Sequence, residues 1–129
     1  MNRRTEWALL AGRIVVGVIM LAHGIQKAGA MENTIAMFDK IGQPAWLAYM
    51  TVVIEGVGGL FLIVGIFIVP SAILLGLTMA AAIVMAKLPM GLIGGFEFPL
   101  SLLALSLILA VTGSRKLALS EVIRKSGSS

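Results

Sequence analysis

Of 129 residues, 59% are hydrophobic and only 12% are charged, where an ordinary soluble domain carries roughly 25% charged residues. With a mean hydropathy of +1.04, the chain lacks the polar side chains to cover its own apolar surface, so its solvent is lipid. The net charge of +4 is no signal for nucleic acid, because Arg3 and Arg4 cluster at one end and Arg115, Lys116, Arg124 and Lys125 at the other; the absence of cysteine excludes disulfides, thiolate metal sites, iron–sulfur clusters and thiol redox chemistry within the chain.

A helix needs about 20 mainly apolar residues to cross the hydrocarbon core. The first such run covers about residues 7–26 and is unusual in holding Arg13 and His23. The second, about 46–69, is interrupted by Glu55 and softened by Gly56, Gly58, Gly59 and Gly65, and Pro70 is expected to break the chain after it. The third, about 71–88, is aliphatic and ends beside Lys87; the fourth, about 96–112, closes at Gly113 and Ser114. An unpaired backbone amide in lipid is costly and no strand-like alternation is present, so each run is read as a helix. The link Val69-Pro70-Ser71 permits only a tight reversal, while the stretches 28–45 and 89–95 are expected to be irregular loops.

The expectation is an all-α, antiparallel four-helix transmembrane bundle forming a single integral membrane domain over residues 1–129. Cations flanking the first and last runs put both termini in the cytoplasm, with the 28–45 loop and its Glu32, Asp39 and Lys40 outside. Trp7, Trp46 and Tyr49 fall at the headgroup level. A competing reading takes residues 1–30 as a signal peptide cleaved at Ala28-Gly29-Ala30; the length of the run and Arg13 within it weigh against that.

Ionisable groups inside a membrane cost about 2.5–3.5 kcal/mol each at mid-depth and need protein or water around them. The set is Arg13, His23, Lys27, Glu55, Lys87 and Glu97. On a helical wheel His23 and Lys27 lie roughly 80° and 40° from Arg13. Gly17, Met20 and Gly24 share that side, and Ile14, Val15, Val18, Ala22 and Ile25 take the other, so the polar stripe faces the bundle. Depth places Glu55 near mid-membrane, with Arg13 to its cytoplasmic side, His23 to its outer side, and either side chain able to reach it. Lys27, Lys87 and Glu97 gather at the outer surface. The pattern is a polar seam from Arg13 through Glu55 to His23, opening outward between Lys87 and Glu97. An Arg13–Glu55 pair serves structure as readily as function. Lys27, Lys87 and Glu97 are read as snorkelling to the interface, and His23 either as a satisfied core histidine or as a proton carrier with Glu55. A lone histidine cannot give bis-His haem ligation, and no metal-ligand spacing, phosphate loop or nucleophile elbow appears. The eight methionines read as flexible packing.

These residues, in this order, resemble the DoxX family of bacterial four-helix membrane proteins. The resemblance rests on Gly12-Arg13, His23-Gly24-x-x-Lys27, Phe38-x-x-x-Gly42-x-Pro44, Glu55-x-x-Gly58-Gly59 with Gly65, and Gly95-x-Glu97. Pro99, close behind Glu97, departs from an otherwise polar helix start. Relatives in that family are linked to a thiosulfate:quinone oxidoreductase, to catechol and hydroquinone resistance, or to membrane oxidoreductase assemblies. The resemblance implies a bacterial cytoplasmic membrane, no covalent cofactor, and a quinone as ligand or substrate held by Arg13, His23 and Glu55 with Lys27, Lys87 and Glu97. A quinone head group needs an apolar slot with one or two donors at its carbonyls, for which His23 and Arg13 are the expected donors, and a His23–Glu55 pair would relay the protons. Electrons must come from an oxidoreductase partner or a second substrate. The alternatives are a proton-coupled carrier using the same seam, or a non-catalytic anchor subunit whose charges hold the bundle together. Ala8 and Gly12 offer a weak small-residue surface for a homo-oligomer.

Overall fold

The computed structural model describes residues 2–127, with side chains through Arg124, so the flanking cation Lys125 has its side chain outside the described residues. Helix α1 (Arg3–Gly29) begins where the Asn2 side chain accepts from the Thr5 backbone N–H at 2.8 Å, an N-cap on a run free of proline. At 27 residues it is about 40 Å long, more than the roughly 30 Å hydrocarbon core requires. A short amphipathic helix, α2 (Met31–Lys40), follows, and then α3 (Ala45–Val64) returns across the bundle.

Helix α4 (Ile68–Ala82) continues through a wide turn at Ile83–Lys87 and a tight one at Leu88–Met90. A second wide turn at Leu92–Phe96 leads into α5 (Glu97–Thr112), and α6 (Leu119–Gly127) ends the described chain. Four stretches are long and apolar enough to cross a membrane: Arg3–Gly29, Ala45–Val64, Ile68–Met90 and Leu92–Thr112. The protein is all-helical and multi-pass, with no strand among the described residues.

Two of the expected boundaries are corrected. The second span stops at Val64, and the reversal is Gly65-Ile66-Phe67 rather than Val69-Pro70-Ser71. Gly65 adopts φ +84°, and its N–H and that of Ile66 both donate to the Phe61 carbonyl, which closes α3. Pro70 therefore does not break a helix. It is the third residue of α4, where its missing N–H has no intrahelical partner to lose. Pro99 stands at the same place in α5, so the polar–apolar switch at Glu97 is an ordinary helix start. The expected irregular loop 28–45 contains α2, whose Thr34 hydroxyl bonds back to the carbonyls of Lys27 and Ala30.

The helices pair as α1 with α3 and as α4 with α5, and α3–α4 and α1–α5 contacts close the ring, so that every neighbour is antiparallel. Leu62, Leu75, Leu102, Leu109, Val16 and Met20 fill the centre. Val15, Val18, Ile25, Leu60, Leu77 and Ile108 face outward, which in lipid is the favourable arrangement. As the helical wheel requires, Arg13, Gly17, Met20 and Gly24 are buried on one face of α1. Because lipid gives helices no hydrophobic reason to associate, close backbone packing must do so. At the α1–α3 crossing a Cβ on Gly59 would stand 2.5 Å from the Leu21 nitrogen, and one on Gly24 would stand 2.6 Å from the Gly56 nitrogen.

Candidate functional site

The structure divides the expected seam into two clusters that do not touch. Every Cα–Cβ bond in a helix leans toward that helix's N-terminus, and this direction decides the pairings. On α1 it carries the Arg13 side chain away from the level of Glu55, toward the end where both termini lie. There the fully buried guanidinium donates through Nη1 to the carbonyls of Ser114 (2.7 Å) and Lys116 (2.9 Å), and through Nη2 to that of Leu117 (3.3 Å). The expected Arg13–Glu55 contact is absent. Arg13 instead ties the turn after α5 to α1, and Lys116 lies over the Trp7 ring at 5.0 Å. The same turn is held from α3, since the Ser120 N–H donates to the Gly65 carbonyl at 3.0 Å. Arg13 is thus a structural clamp satisfying carbonyls of the turn that follows α5.

At the opposite, loop-bearing end the same lean works constructively. Lys27 leans back down α1 while Glu55, on the antiparallel α3, leans the other way. The glycine contact at Gly24–Gly56 holds the two backbones close enough for the side chains to meet. Lys27 Nζ donates to Glu55 Oε1 at 2.8 Å, with the carboxylate side chain only 2% exposed and the lysine 28%. Lys27 is therefore not a snorkelling residue, and it takes the place expected for Arg13 or His23. Glu55 Oε2 is buried and has no partner among the described residues.

His23 sits one turn before Lys27 but faces α5. Its Nδ1 lies 2.8 Å from the Ile19 carbonyl, and its ring stacks on Phe98 with centroids 5.6 Å apart. A carbonyl only accepts, so Nδ1 carries the hydrogen and, in the neutral ring, Nε2 is left as an acceptor. In the neutral ring His23 therefore has no N–H left for a ligand carbonyl, because its donor is already spent within α1. The expected His23–Glu55 bond is likewise absent among the described residues.

Glu97 does not line an outward opening with Lys87. Its Oε1 accepts from the Gly94 N–H at 2.9 Å and so closes the glycine-rich turn that starts α5, with Gly94 at φ +75°. Lys87, half-buried at the end of a wide helical turn, has no hydrogen-bonded or ion-paired partner among the described residues. Such π-type turns interrupt a regular helix at a cost and recur at functional sites; two of them bracket this hairpin. Sequence reading missed Phe98, for which the only signal is an aromatic next to Glu97. It also missed the backbone carbonyls at 114–117, which no side-chain motif announces.

The loop end thus holds two pairs, Lys27–Glu55 with one carboxylate oxygen open and His23–Phe98 with an acceptor nitrogen in the neutral ring. An apolar groove of about 240 Å³ between α3 and α4, lined by Val53, Val57, Phe61, Phe67 and Leu74 among others, lies on another side of α3 and contains no titratable group. Among the described residues no group of three or more potential metal ligands occurs.

The DoxX family model matches residues 8–88, a stretch that contains Arg13, His23, Lys27, Glu55 and Lys87 and ends before Glu97 and Phe98. A Bacillus subtilis (strain 168) protein named "Putative oxidoreductase CatD" is 38% identical over 125 residues, covering 97% of this chain and 93% of that protein. No solved structure matches.

Proposed function

Because the chain belongs to the DoxX family, we propose that it binds a quinone, hydroquinone or similar small aromatic molecule within the bilayer and supports its redox handling or detoxification. The binding place is the loop-end cluster of His23, Lys27, Glu55 and Phe98. The observation that carries this reading is Glu55: a carboxylate 2% exposed, one oxygen paired to Lys27 and the other with nothing bonded to it. A buried acceptor left open costs about 1–3 kcal/mol, a cost that a bound polar group removes. The aromatic surface of Phe98, itself 47% exposed, supplies a face for a ring. The name of the Bacillus relative adds the redox context. The chain has no thiol, so electrons pass between the bound molecule and a partner oxidoreductase or second substrate. The membrane is the bacterial cytoplasmic membrane, with the Arg13 clamp and both termini on the cytoplasmic side.

The test is thermal stability of the purified protein in detergent, with and without quinones, hydroquinones and catechols, on the native chain and on His23→Ala and Glu55→Gln. A ligand bound to the native state at a hundred times its Kd raises stability by about 2.7 kcal/mol. A shift present in the native chain and lost in both variants is the expected result. No shift with any compound would leave the non-catalytic anchor as the better account of the buried charges.

A further inference from the structure

We infer that the loop-end cluster selects the reduced, hydroxyl-bearing form of its aromatic ligand over the quinone. This rests on the reading that such a molecule binds there at all. The inference comes from counting which polar atoms of the cluster are still open. Glu55 Oε2 is one, buried and unpartnered, and a carboxylate held by a lysine can only accept. His23 Nε2 is the second in the neutral ring, where Nδ1–H is committed to the Ile19 carbonyl. The cluster's donor, Lys27, differs in kind. One of its N–H groups is on Glu55, and the others belong to a side chain 28% exposed, where they are not stranded in a dry interior. The unmet need inside the cluster is therefore for donors.

A hydroquinone or catechol brings hydroxyl groups that donate to these acceptors, and its ring lies against the exposed face of Phe98. A quinone brings only carbonyl oxygens. Set against Glu55 Oε2, a quinone carbonyl meets another acceptor, so the carboxylate stays unsatisfied and the two oxygens repel. Satisfying one buried, otherwise stranded acceptor corresponds to about tenfold or more in affinity. Hydroquinone and quinone differ by two electrons and two protons, and the inference concerns which of them is held, with no transfer between them. By linkage, tenfold tighter binding of the reduced form raises the midpoint potential of the bound couple by about 30 mV, so the protein protects its ligand against oxidation.

Equilibrium dialysis under anaerobic conditions against the protein in lipid nanodiscs tests this with three probes of nearly the same shape. They are tetramethylhydroquinone, tetramethyl-1,4-benzoquinone, whose full substitution slows addition by lysine, and 1,4-dimethoxytetramethylbenzene, which keeps the ring and both oxygens but has no donor. The expected result is binding of the hydroquinone at least about tenfold tighter than of either other probe, with the preference abolished in Glu55→Gln, whose amide offers a donor in place of an acceptor. Equal or tighter binding of the quinone or the dimethyl ether overturns the inference while leaving the binding site itself in place. Survival of the preference in Glu55→Gln overturns it too. Binding of none of the three removes the underlying reading along with it. The three-probe comparison on the native chain decides the question even where the variant fails to fold.

Discussion

Replacing Lys27 by Met separates the pairing seen here from the Arg13–Glu55 pair that the sequence suggests. The substitution keeps the length of the stem and deletes the ammonium 2.8 Å from Glu55 Oε1. The carboxylate would then have no partner on either oxygen, in a place only 2% exposed. Breaking a buried ion pair from one side costs about 3–5 kcal/mol. One feature moves the expectation to the low end: Lys27 is 28% exposed. We expect a loss of about 3 kcal/mol, roughly two decades in the unfolding constant. Lys27→Met combined with Glu55→Leu removes both charges and should recover most of that loss, since apolar replacement of a whole buried pair is often neutral or better.

Reversible unfolding in mixed micelles, titrated with denaturing detergent, gives the four free energies of the cycle. The coupling between positions 27 and 55 should be about 2 kcal/mol or more, while a parallel cycle on Arg13 and Glu55 should give less than about 0.5 kcal/mol, as for sites with no shared partner. Strong coupling of 55 to 13 with none to 27 would refute the assignment. Additive losses at 27 and 55 would show that the pair contributes nothing beyond its two separate side chains.

Two further substitutions test the frame around the site. Arg13→Lys keeps the charge but replaces a fork that reaches three carbonyls with a single ammonium; it should destabilise by about 2–3 kcal/mol and increase protease cleavage of the 114–118 turn, as read by limited proteolysis, while aromatic-ligand binding at the loop end persists. Gly59→Ala puts a methyl 2.5 Å from the Leu21 nitrogen, against backbone that cannot step aside; overpacking of this kind costs about 1–3 kcal/mol, and separating α1 from α3 should also weaken the Lys27–Glu55 contact, seen as a smaller coupling in the cycle above.

The spans, the four-helix architecture and the inward face of α1 were legible because each follows from composition and angular position. The glycine and arginine stripe of α1 is buried as the wheel requires. What position could not give was direction. Placing Arg13, His23 and Glu55 by the depth of their Cα atoms makes Arg13 and His23 flank the carboxylate. The lean of helical side chains toward the N-terminus instead sends Arg13 away and brings Lys27 and Glu55, on antiparallel helices, toward each other. Pro70 misled for a related reason: a proline two residues into a helix and a proline just after one look the same in a row of apolar letters. Only the left-handed Gly65, whose N–H closes α3 on the Phe61 carbonyl, tells them apart. The destination of Arg13 was not legible at all, since its partners are main-chain carbonyls 101 to 104 residues away in sequence.

The separation of the two charge clusters bears on which buried group to suspect of chemistry. Charge inside a membrane is usually taken as a mark of function, yet Arg13, the most deeply buried of the set, has both terminal nitrogens committed to main-chain carbonyls, with only Nε left unpartnered. Three carbonyls take up its fork, and they belong to a turn that α5 and α3 also hold. Glu55 shows the reverse: its one ion pair leaves half of the carboxylate open. A purely structural pair would be expected to satisfy both oxygens, because an incompletely bonded buried carboxylate weakens the very packing it is meant to secure. Arg13 Nε and Ser114 Oγ are buried without partners too, but they belong to a clamp whose three bonds already fix a turn, whereas the open oxygen of Glu55 is the one on which the proposed binding site rests.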